Sequence, residues 1–360
     1  MSTNKPIRVL HLLKNFEIGG VESSTINFAN YLTDKIEFFG IFGSKGFYLN
    51  TTILNKNIRI FINQKNIYNM FNFFYITWQL NLICKRNKIN IIHYHFRIYI
   101  PNVYLLKLFN PSLKFVYTHH SKYMDYISSF IFANYYIAIG ETSLQDLQRY
   151  SFVKRRIKIL KNGVSLRSVN ETAYYADGNL RVGIFGRLEE SKGIRFICNN
   201  IRLLVEHFPK INIIFRGYGT MSEEIKQNEY YNLNIFLLPP TYNQLELFSG
   251  IHIILVPSIS INNTDVEGVP MIILEAMASG IPVIASDAGG ITNVVKDGEN
   301  GVIFCKNNIH SLIAEFSSLL NSSELQAKIT SKGIDTIENE YLINKTGNDL
   351  ISVYKNLLAN

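Results

Sequence analysis

Residues 267–280 read EGVPMIILEAMASG, and this stretch decides the fold class. Pro270 suits the first turn of a helix, because proline lacks the N–H group that would be unpaired there. Apolar helix formers follow, and Gly280 suits a C-terminal stop. We therefore expect a buried helix, with Glu267 in the loop before it and Glu275 on the helix itself.

The start of this helix is also a predicted anion site. The backbone N–H groups of Gly268, Val269 and Met271 would point outward beside Glu267, at the positive end of the helix dipole. The next residues predict a short buried strand at 281–285 and then a glycine turn. A helix, a strand and a glycine turn in this order indicate a doubly wound α/β fold, in which ligands bind beyond the carboxyl ends of the strands.

Length and composition predict two domains in a reducing compartment. The 360 residues are 47% apolar, which is ample for two cores. Cys84, Cys198 and Cys305 show no metal or redox spacing. The first residues lack the layout of a signal peptide, and no segment reaches about 18 consecutive apolar residues. We expect a cytoplasmic protein without a transmembrane helix.

The charge is divided unevenly along the chain. Residues 1–165 carry 21 Lys and Arg against seven Asp and Glu, whereas residues 166–360 carry 15 against 21. The net formal charges are therefore +14 and −6. A basic first half predicts an anionic partner, such as a membrane surface or a phosphorylated lipid. Nucleic acid is not expected, because no nucleic-acid-binding motif accompanies the charge.

An aromatic segment lies in this basic half. Its large apolar residues recur at helical spacing, and the helix ends in a basic edge at 85–88. Two interpretations stay open: a core helix, or an apolar face near a membrane or a lipid chain. A basic cluster at 154–161 is either a solvated face or a contact with anionic lipid. The residues of the apolar stripe are Phe71, Phe74, Tyr75, Trp78 and Leu82.

Four histidines follow two predicted strands of the first half: His93, His95, His119 and His120. Histidines at strand ends in an α/β domain are expected to face the ligand cleft. No cysteine or acidic residue is spaced with them as a metal ligand, so we predict no metal site.

One glycine turn and one basic loop are further candidate positions. Gly19 and Gly20 lie between a predicted strand at 7–13 and a helix at 21–32, where backbone N–H groups can approach a phosphate; a plain strand–helix turn is the alternative. In the second half, GRLEESKG places Arg187 and Lys192 in a loop before a helix. Arginine offers phosphate a fork of donors and lysine a mobile charge.

The residues 267–290, EGVPMIILEAMASGIPVIASDAGG, resemble the EX7E signature of retaining glycosyltransferases with the GT-B fold, glycosyltransferase family four. The loop at 186–193 is similar to that family's GR-x4-KG, the residues 19–32 to its GG loop, and 162–164 to the NG(V/I) that closes the first domain. The resemblance covers most of the chain and is most specific in the second half.

The resemblance implies two Rossmann-like doubly wound domains that face a central cleft. We expect an acceptor-side domain at 1–167 and a donor domain at 168–343, with a C-terminal helix at about 344–360 packing back on the first domain. The chain departs from the family pattern where Tyr218 and Thr220 interrupt the usual GDGP, where His252 replaces a common aspartate, and where Asn293 replaces a common glutamate.

The resemblance also implies roles for the site residues. Glu267 would hold hydroxyls of the donor sugar, Glu275 the ribose hydroxyls, and Arg187 with Lys192 the diphosphate. His120 would contact the sugar or the acceptor, although His119 beside it could take that place. The implied catalytic residues are Glu267, His120, Arg187 and Lys192; the implied donor-binding residues are Gly19, Gly20, Arg187, Lys192, Gly217, Gly219, Glu267, Gly268, Val269, Met271 and Glu275.

The implied activity is transfer of a sugar, with retention of configuration, from a nucleoside-diphosphate sugar to an acceptor hydroxyl. UDP is expected more than GDP, without a metal or other cofactor. The expected acceptor is a saccharide or a polyprenyl-diphosphate-linked saccharide of bacterial surface polysaccharide synthesis, reached at the inner face of the plasma membrane. A nucleotide-sugar epimerase of GT-B fold and a non-catalytic nucleotide-sugar-binding protein are the alternatives.

Overall fold

The chain forms two compact units. Unit 1 comprises Met1–Gly163 with Ile343–Asn360, and unit 2 comprises Val164–Leu342. The sequence-predicted boundary at 167/168 falls outside the described residues and stays a prediction. The computed structural model describes residues 5–50, 54–120, 126–150, 156–166, 178–241, 243–260 and 268–359.

Unit 1 is built on a seven-stranded parallel sheet in the order β3-β2-β1-β4-β5-β6-β7. The strand order reverses between β1 and β4, so the carboxyl ends of these two strands form the topological switch point. The strands are β1 Arg8–Asn15, β2 Phe38–Ser44, β3 Arg59–Asn63, β4 Ile91–Tyr94, β5 Lys114–His119, β6 Tyr135–Ala138 and β7 Ile157–Ile159.

The helices of unit 1 include the C-terminal helix of the chain, Ile343–Ala359. This helix packs on α1, Gly20–Leu32, and a side chain at Gly347 would collide with the ring of Tyr31. The predicted return of the last helix to the first half is therefore present within unit 1. The other helices of this unit are α1 Gly20–Leu32, α2 Phe73–Arg86, α3 Ile100–Phe109 and α4 Glu141–Gln148.

The aromatic stripe of α2 is exposed, so its interpretation as a core face is wrong. The helix buries another face, through Ile76, Leu80 and Ile83. Phe71 is 88% exposed and Trp78 is 54% exposed. Helical spacing predicted the stripe, but spacing alone does not say which of two apolar faces meets the core.

Unit 2 repeats the architecture with a six-stranded parallel sheet in the order β10-β9-β8-β11-β12-β13. Its switch point lies between β8 and β11. The strands are β8 Leu180–Phe185, β9 Ile211–Arg216, β10 Ile235–Leu238, β11 Ile253–Val256, β12 Val283–Ser286 and β13 Val302–Phe304; the helices are α5 Ile194–His207, α6 Ser222–Lys226, α7 Gln244–Phe248, α8 Met271–Ala278, α9 Ile309–Leu320 and α10 Ser323–Thr336.

The stretch that decides the fold class forms the predicted elements. Helix α8 is buried along most of its length, and β12 follows it as a fully buried strand. Pro270 is the N-cap of α8, one position before the predicted first turn, and Gly280 has a φ of +69° after the helix ends. The doubly wound α/β prediction is thus confirmed.

The length and apolar character of each helix show whether it could cross a membrane. Within the described ranges, no helix is both long enough and apolar enough to cross a bilayer.

Candidate functional site

Two loops at the carboxyl edge of the unit 2 sheet are held together backbone to backbone. Leu188, after β8, donates its N–H to the Tyr218 carbonyl at 2.9 Å, and the Leu188 carbonyl accepts the N–H of Met221 at 2.9 Å. Gly217 has a φ of +152°, and a side chain there would collide with the Gly186 carbonyl oxygen. Gly219 likewise has no room for a Cβ beside the Leu188 backbone. The two predicted glycines therefore allow the β8 and β9 loops to meet.

Other glycines bring the remaining loops to the same edge. Gly193 has a φ of +72°, and a Cβ on it would collide with the carbonyl oxygen of Pro257, just after β11. A Cβ on Gly290, after β12, would lie 2.5 Å from the Gly268 carbonyl oxygen, just before α8. Backbone groups from four loops therefore line the edge where a doubly wound fold binds its ligand.

Arg187 and Lys192 lie in the first of these loops. Arg187 is exposed and, among the described residues, makes no ion pair or hydrogen bond through its guanidinium group, whereas Arg195 nearby is paired with Glu190 and Glu224. Lys192 is half-buried at the end of a short 3₁₀ turn before α5. Arg187 also borders a groove of about 520 Å³, whose other lining residues are Glu189, Glu190, Ser191, Arg195, Thr220, Met221 and Glu224.

The residues around α8 divide into two groups. Glu267, the first glutamate of the signature, lies outside the described residues. Gly268 and Val269 precede the N-cap of α8, and Met271 is its first residue. Glu275 lies one turn further on and is half-buried. The predicted order of a loop and then a helix carrying Glu275 is therefore present.

The departures from the family pattern have local structural roles. His252 is buried, and its Nδ1 accepts the backbone N–H of Arg181 at 3.0 Å, so this side chain supports the sheet. The hydroxyl of Thr220 donates to the Glu189 carboxylate at 2.8 Å. Tyr218 contributes the carbonyl that holds the β8 loop.

In unit 1, Gly19 and Gly20 connect β1 to α1 as predicted. Gly19 is the N-cap of α1, and its carbonyl accepts the N–H of Ser23 at 2.8 Å. The carboxylate of Glu22 is buried against Gly19. A carboxylate is stabilised by the positive end of a helix dipole, and it repels a second anion at the same place.

The structure separates the two adjacent histidines at the end of β5. His119 is fully buried, and its Nε2 lies 2.8 Å from the Asp146 carboxylate. His120 is partly exposed, and its Nε2 lies 2.9 Å from His95 Nδ1. His120 is therefore the histidine that a ligand at this edge can reach.

Three further histidines are buried behind His120. His11 on β1 pairs in register with His93 on β4, and His95 follows β4. His93, His95 and His119 were expected to face a ligand cleft, and this expectation is wrong, because they are 2%, 5% and 0% exposed. Strand ends at a switch point are covered here by the C-terminal helix, whose Tyr354 hydroxyl contacts both His11 and His93.

Burial keeps these imidazoles neutral. It lowers the pKa values of His11, His93 and His95 well below the ordinary value of histidine, and each is lowered further by neighbouring histidines. Burial, with a smaller contribution from the neighbouring His119, lowers the pKa of His120 to about 3. At neutral pH the cluster therefore offers hydrogen-bonding groups rather than positive charge.

Sequence reasoning missed His11 and Tyr354. The ligand atoms of His11, His93 and His95 lie within 4.8 Å of one another, close enough for a metal ion. Spacing along the chain does not associate His11 with His93, because the two residues are 82 positions apart. The signal that could have found His11 is topological, because β1 and β4 are neighbours at a switch point.

The two halves of the chain match two family models. Residues 18–168 match glycosyltransferase family 4, and residues 176–336 match the glycosyl transferases group 1 model. Together the matched ranges include every strand of the two sheets except β1, and all the predicted site residues.

Individual proteins agree with these matches. The chain is 24% identical to an uncharacterized glycosyltransferase of Haemophilus influenzae, over 87% of this chain and 90% of that protein. It is 23% identical to the capsular polysaccharide biosynthesis glycosyltransferase CapM of Staphylococcus aureus, over 50% of this chain and 47% of CapM. The match therefore spans about half the length of CapM.

A solved structure supports the fold. HepE of Anabaena, in complex with UDP and glucose, superposes with a TM-score of 0.77 and 17% identity, covering 96% of this chain and 98% of that one. The GT-B prediction is confirmed at the level of the fold.

Proposed function

We propose a substrate and a reaction on the premise that the chain belongs to the family 4, group 1 glycosyltransferases. The reaction is the transfer of a sugar from a nucleoside-diphosphate sugar to an acceptor hydroxyl, with retention of the anomeric configuration. The observation that supports it most is the carboxyl edge of unit 2, where glycine-dependent loops and Arg187 lie in one place.

The proposed donor is a UDP-sugar bound at this edge. Arg187 and Lys192 would bind the diphosphate, and Glu275 the ribose hydroxyls. Backbone N–H groups at the start of α8 would bind phosphate or sugar oxygens beside Glu267. UDP is preferred to GDP because HepE, which shares the fold over nearly the whole chain, is a UDP complex.

The proposed mechanism requires no divalent metal. When the bond between the anomeric carbon and the β-phosphate oxygen breaks, Arg187, Lys192 and the α8 N-terminus stabilise the negative charge of the departing diphosphate. The acceptor oxygen bonds to the same face of the anomeric carbon, and its proton passes to the departing phosphate oxygen. Glu267 would hold the sugar during this step, and a neutral His120 would hydrogen-bond the sugar or the acceptor.

The proposed acceptor is a lipid-linked saccharide at an anionic membrane. Helix α2 exposes Phe74, Tyr75 and Trp78, and the 3₁₀ turn before it exposes Phe71. Helix α3 exposes its C-terminal residues Leu108 and Phe109. The two helices run side by side, because Asn102 Nδ2 donates to Thr77 Oγ1 at 2.8 Å and Asn110 Nδ2 to Asn81 Oδ1 at 2.6 Å. We call the apolar surface formed by the six exposed residues the aromatic face; they are Phe71, Phe74, Tyr75, Trp78, Leu108 and Phe109.

Basic side chains accompany the aromatic face. Lys65 lies over the ring of Tyr75, 5.7 Å from its centroid, and Lys85 and Arg86 end α2. Apolar side chains with basic neighbours fit the interface of an anionic bilayer, where each basic residue contributes about 1 kcal/mol. Of the predicted basic cluster at 154–161, residues 154 and 155 lie outside the described part.

The test is sugar transfer by the full chain with EDTA present. Radiolabelled UDP- and GDP-sugars would be incubated with anionic vesicles that contain polyprenyl-diphosphate-linked saccharides. We expect label from one UDP-sugar in the lipid extract, with a product anomer that matches the donor by NMR. Glu267→Ala should lose most transfer and keep UDP affinity within a few-fold, whereas Glu299→Ala, an exposed carboxylate of the same unit, should transfer normally.

Other results would identify the alternatives. Isomerised nucleotide sugar without transfer would indicate an epimerase, and tight UDP binding with no turnover of any donor would indicate a non-catalytic binding protein. An inverted anomer, or activity that depends on added Mg²⁺ or Mn²⁺, would contradict the mechanism.

A further inference from the structure

Six side chains of unit 1 form one continuous series of hydrogen bonds that ends at His120. We call it the histidine relay. Its five donor–acceptor distances lie between 2.6 and 2.9 Å. In order, the series runs Thr118 Oγ1 to His93 Nε2, His93 Nδ1 to Tyr354 Oη, Tyr354 Oη to His11 Nε2, His11 Nδ1 to His95 Nε2, and His95 Nδ1 to His120 Nε2.

The relay joins parts of the chain that are far apart in sequence. Its members come from β1, from β4 and β5 and the residue after each of these two strands, and from the C-terminal helix. Tyr354 is fully buried and contributes the bond that connects His93 to His11. Without the Tyr354 hydroxyl the relay divides into two separate halves.

Every ring nitrogen of the three buried histidines is engaged in this series. A neutral imidazole has one N–H donor and one acceptor nitrogen. The low pKa values of these histidines keep them neutral. Donors and acceptors must therefore alternate in one direction along the whole relay, and the direction decides which nitrogen of His120 carries its hydrogen.

Thr118 selects between the two directions. It is buried, and its hydroxyl has no other hydrogen-bond acceptor among the described residues. If Thr118 donates to His93, all the buried donors of the relay are paired, and His120 Nε2 accepts from His95. In the opposite direction the Thr118 hydroxyl hydrogen would be left unpaired, and a buried donor without a partner is costly.

We propose that Thr118 and Tyr354, acting through His93, His11 and His95, hold His120 as the Nδ1–H tautomer, so that His120 presents a hydrogen-bond donor at the carboxyl edge of unit 1. His120 is then a donor to an oxygen of the sugar or the acceptor and not a general base. The consequence for the reaction rests on the proposed function; the tautomer itself does not.

A divalent metal ion is the competing occupant of the cluster. Three neutral imidazoles within 4.8 Å could bind such an ion. A metal would replace the His11–His95 hydrogen bond, and it would interrupt the relay. We favour the relay because each ring nitrogen already has a partner at hydrogen-bond distance.

The test uses ¹⁵N NMR of the full chain with labelled histidine, because the ring nitrogen shifts report the tautomer directly. The eight histidines include His120, which is assigned by its absence from the spectrum of His120→Gln. In the wild type we expect protonated Nδ1 and unprotonated Nε2 for His120. Tyr354→Phe, which keeps the ring and removes the hydroxyl, should convert His120 to a mixture of tautomers.

Tyr99→Phe is the matched control. Tyr99 is equally buried in unit 1 and donates to the Leu13 carbonyl at 2.8 Å, outside the relay. The Tyr99→Phe substitution should leave the His120 spectrum unchanged. In transfer assays, Tyr354→Phe should lower kcat about tenfold and leave the donor KM within about twofold, with a melting temperature close to that of Tyr99→Phe.

Three results would overturn the proposal: an Nε2–H tautomer of His120 in the wild type, identical His120 shifts in Tyr354→Phe and Tyr99→Phe, or a stoichiometric metal whose removal by EDTA changes the shifts of His11 and His95. If the spectra are as expected but no sugar is transferred, the relay stands and the proposed function fails.

Discussion

The two sheets have the same architecture, but the residues at their carboxyl edges differ in chemical character. Both units are parallel sheets whose strand order reverses between the first and fourth strands. At that edge, unit 1 carries buried neutral histidines closed by Tyr354, whereas unit 2 carries open glycine loops with Arg187 and Lys192. Topology therefore determines where a site lies, and the residues that follow the strands determine what it binds.

The difference between the two edges fits two kinds of substrate group, sugar hydroxyls and a diphosphate. Neutral imidazoles and hydroxyl groups bind uncharged oxygens through directional hydrogen bonds, which the recognition of sugar hydroxyls requires. Backbone N–H groups and the exposed guanidinium of Arg187 bind negative charge, as a diphosphate requires. The buried carboxylate of Glu22 beside Gly19 strengthens the contrast, because it disfavours an anion at the corresponding turn of unit 1.

The largest expected effect is the sensitivity of unit 1 to acid. The folded-state pKa values of His11, His93 and His95 are lowered, so the unfolded chain binds more protons below about pH 6.5. Stability is thus full above this pH and falls as the pH drops. Between pH 7.5 and 5.5 we expect a loss on the order of 1 kcal/mol for each of the three histidines, which add up because all three pKa values are lowered.

Urea denaturation followed by tryptophan fluorescence measures this loss, because Trp78, the only tryptophan, lies in unit 1. The exposed His310 of unit 2 provides the control, since His310→Gln should keep the full pH dependence. A free energy of unfolding that is equal at pH 7.5 and 5.5 would refute the buried neutral cluster.

A smaller effect tests the glycine loops of unit 2. Gly193 and Gly298 both have positive φ, +72° and +63°, so alanine at either should cost about 1–2 kcal/mol. Only Gly193→Ala also places a Cβ against the Pro257 carbonyl, which adds about 1–3 kcal/mol. Hydrogen exchange of β8 and β11 would compare the two variants, and equal destabilisation would show that the loops can move apart freely.

The smallest expected effect concerns the aromatic face. Trp78→Ser should weaken binding to anionic vesicles by about 1 kcal/mol, roughly fivefold, because a half-exposed ring is withdrawn from the bilayer interface. Leu245→Ser, an equally exposed apolar residue on α7 of unit 2, should bind vesicles like the wild type. Equal losses in the two variants would place the membrane contact elsewhere, and binding should also weaken as salt rises.

The architecture could be predicted from the sequence more completely than the site. The α8 helix, β12 and the turn at Gly280 were predictable because helix punctuation and apolar runs are local signals. The exposure of Trp78 was not predictable, because both faces of α2 are apolar and only the tertiary packing determines which face is buried. The choice between His119 and His120 required the position of Asp146 on another element.

The histidine relay was beyond sequence reasoning for a similar reason. His11 and Tyr354 are separated by 343 positions, and neither belongs to a motif. Their contact depends on the return of the C-terminal helix to unit 1, which the family resemblance predicted without naming any residue that it would bring to the site.

The most direct test of the account is calorimetric titration of UDP into the full chain in the presence of EDTA. We predict binding by the wild type and losses of about 1.5–3 kcal/mol in Arg187→Ala and in Lys192→Ala, each more than about tenfold in Kd. Arg195→Ala, whose guanidinium is already paired with Glu190 and Glu224, and His120→Gln in unit 1 should bind within about twofold of the wild type. UDP binding that survives unchanged in Arg187→Ala and Lys192→Ala would contradict the assignment of the nucleotide to unit 2, and UDP binding that needs a divalent metal would contradict the metal-independent mechanism.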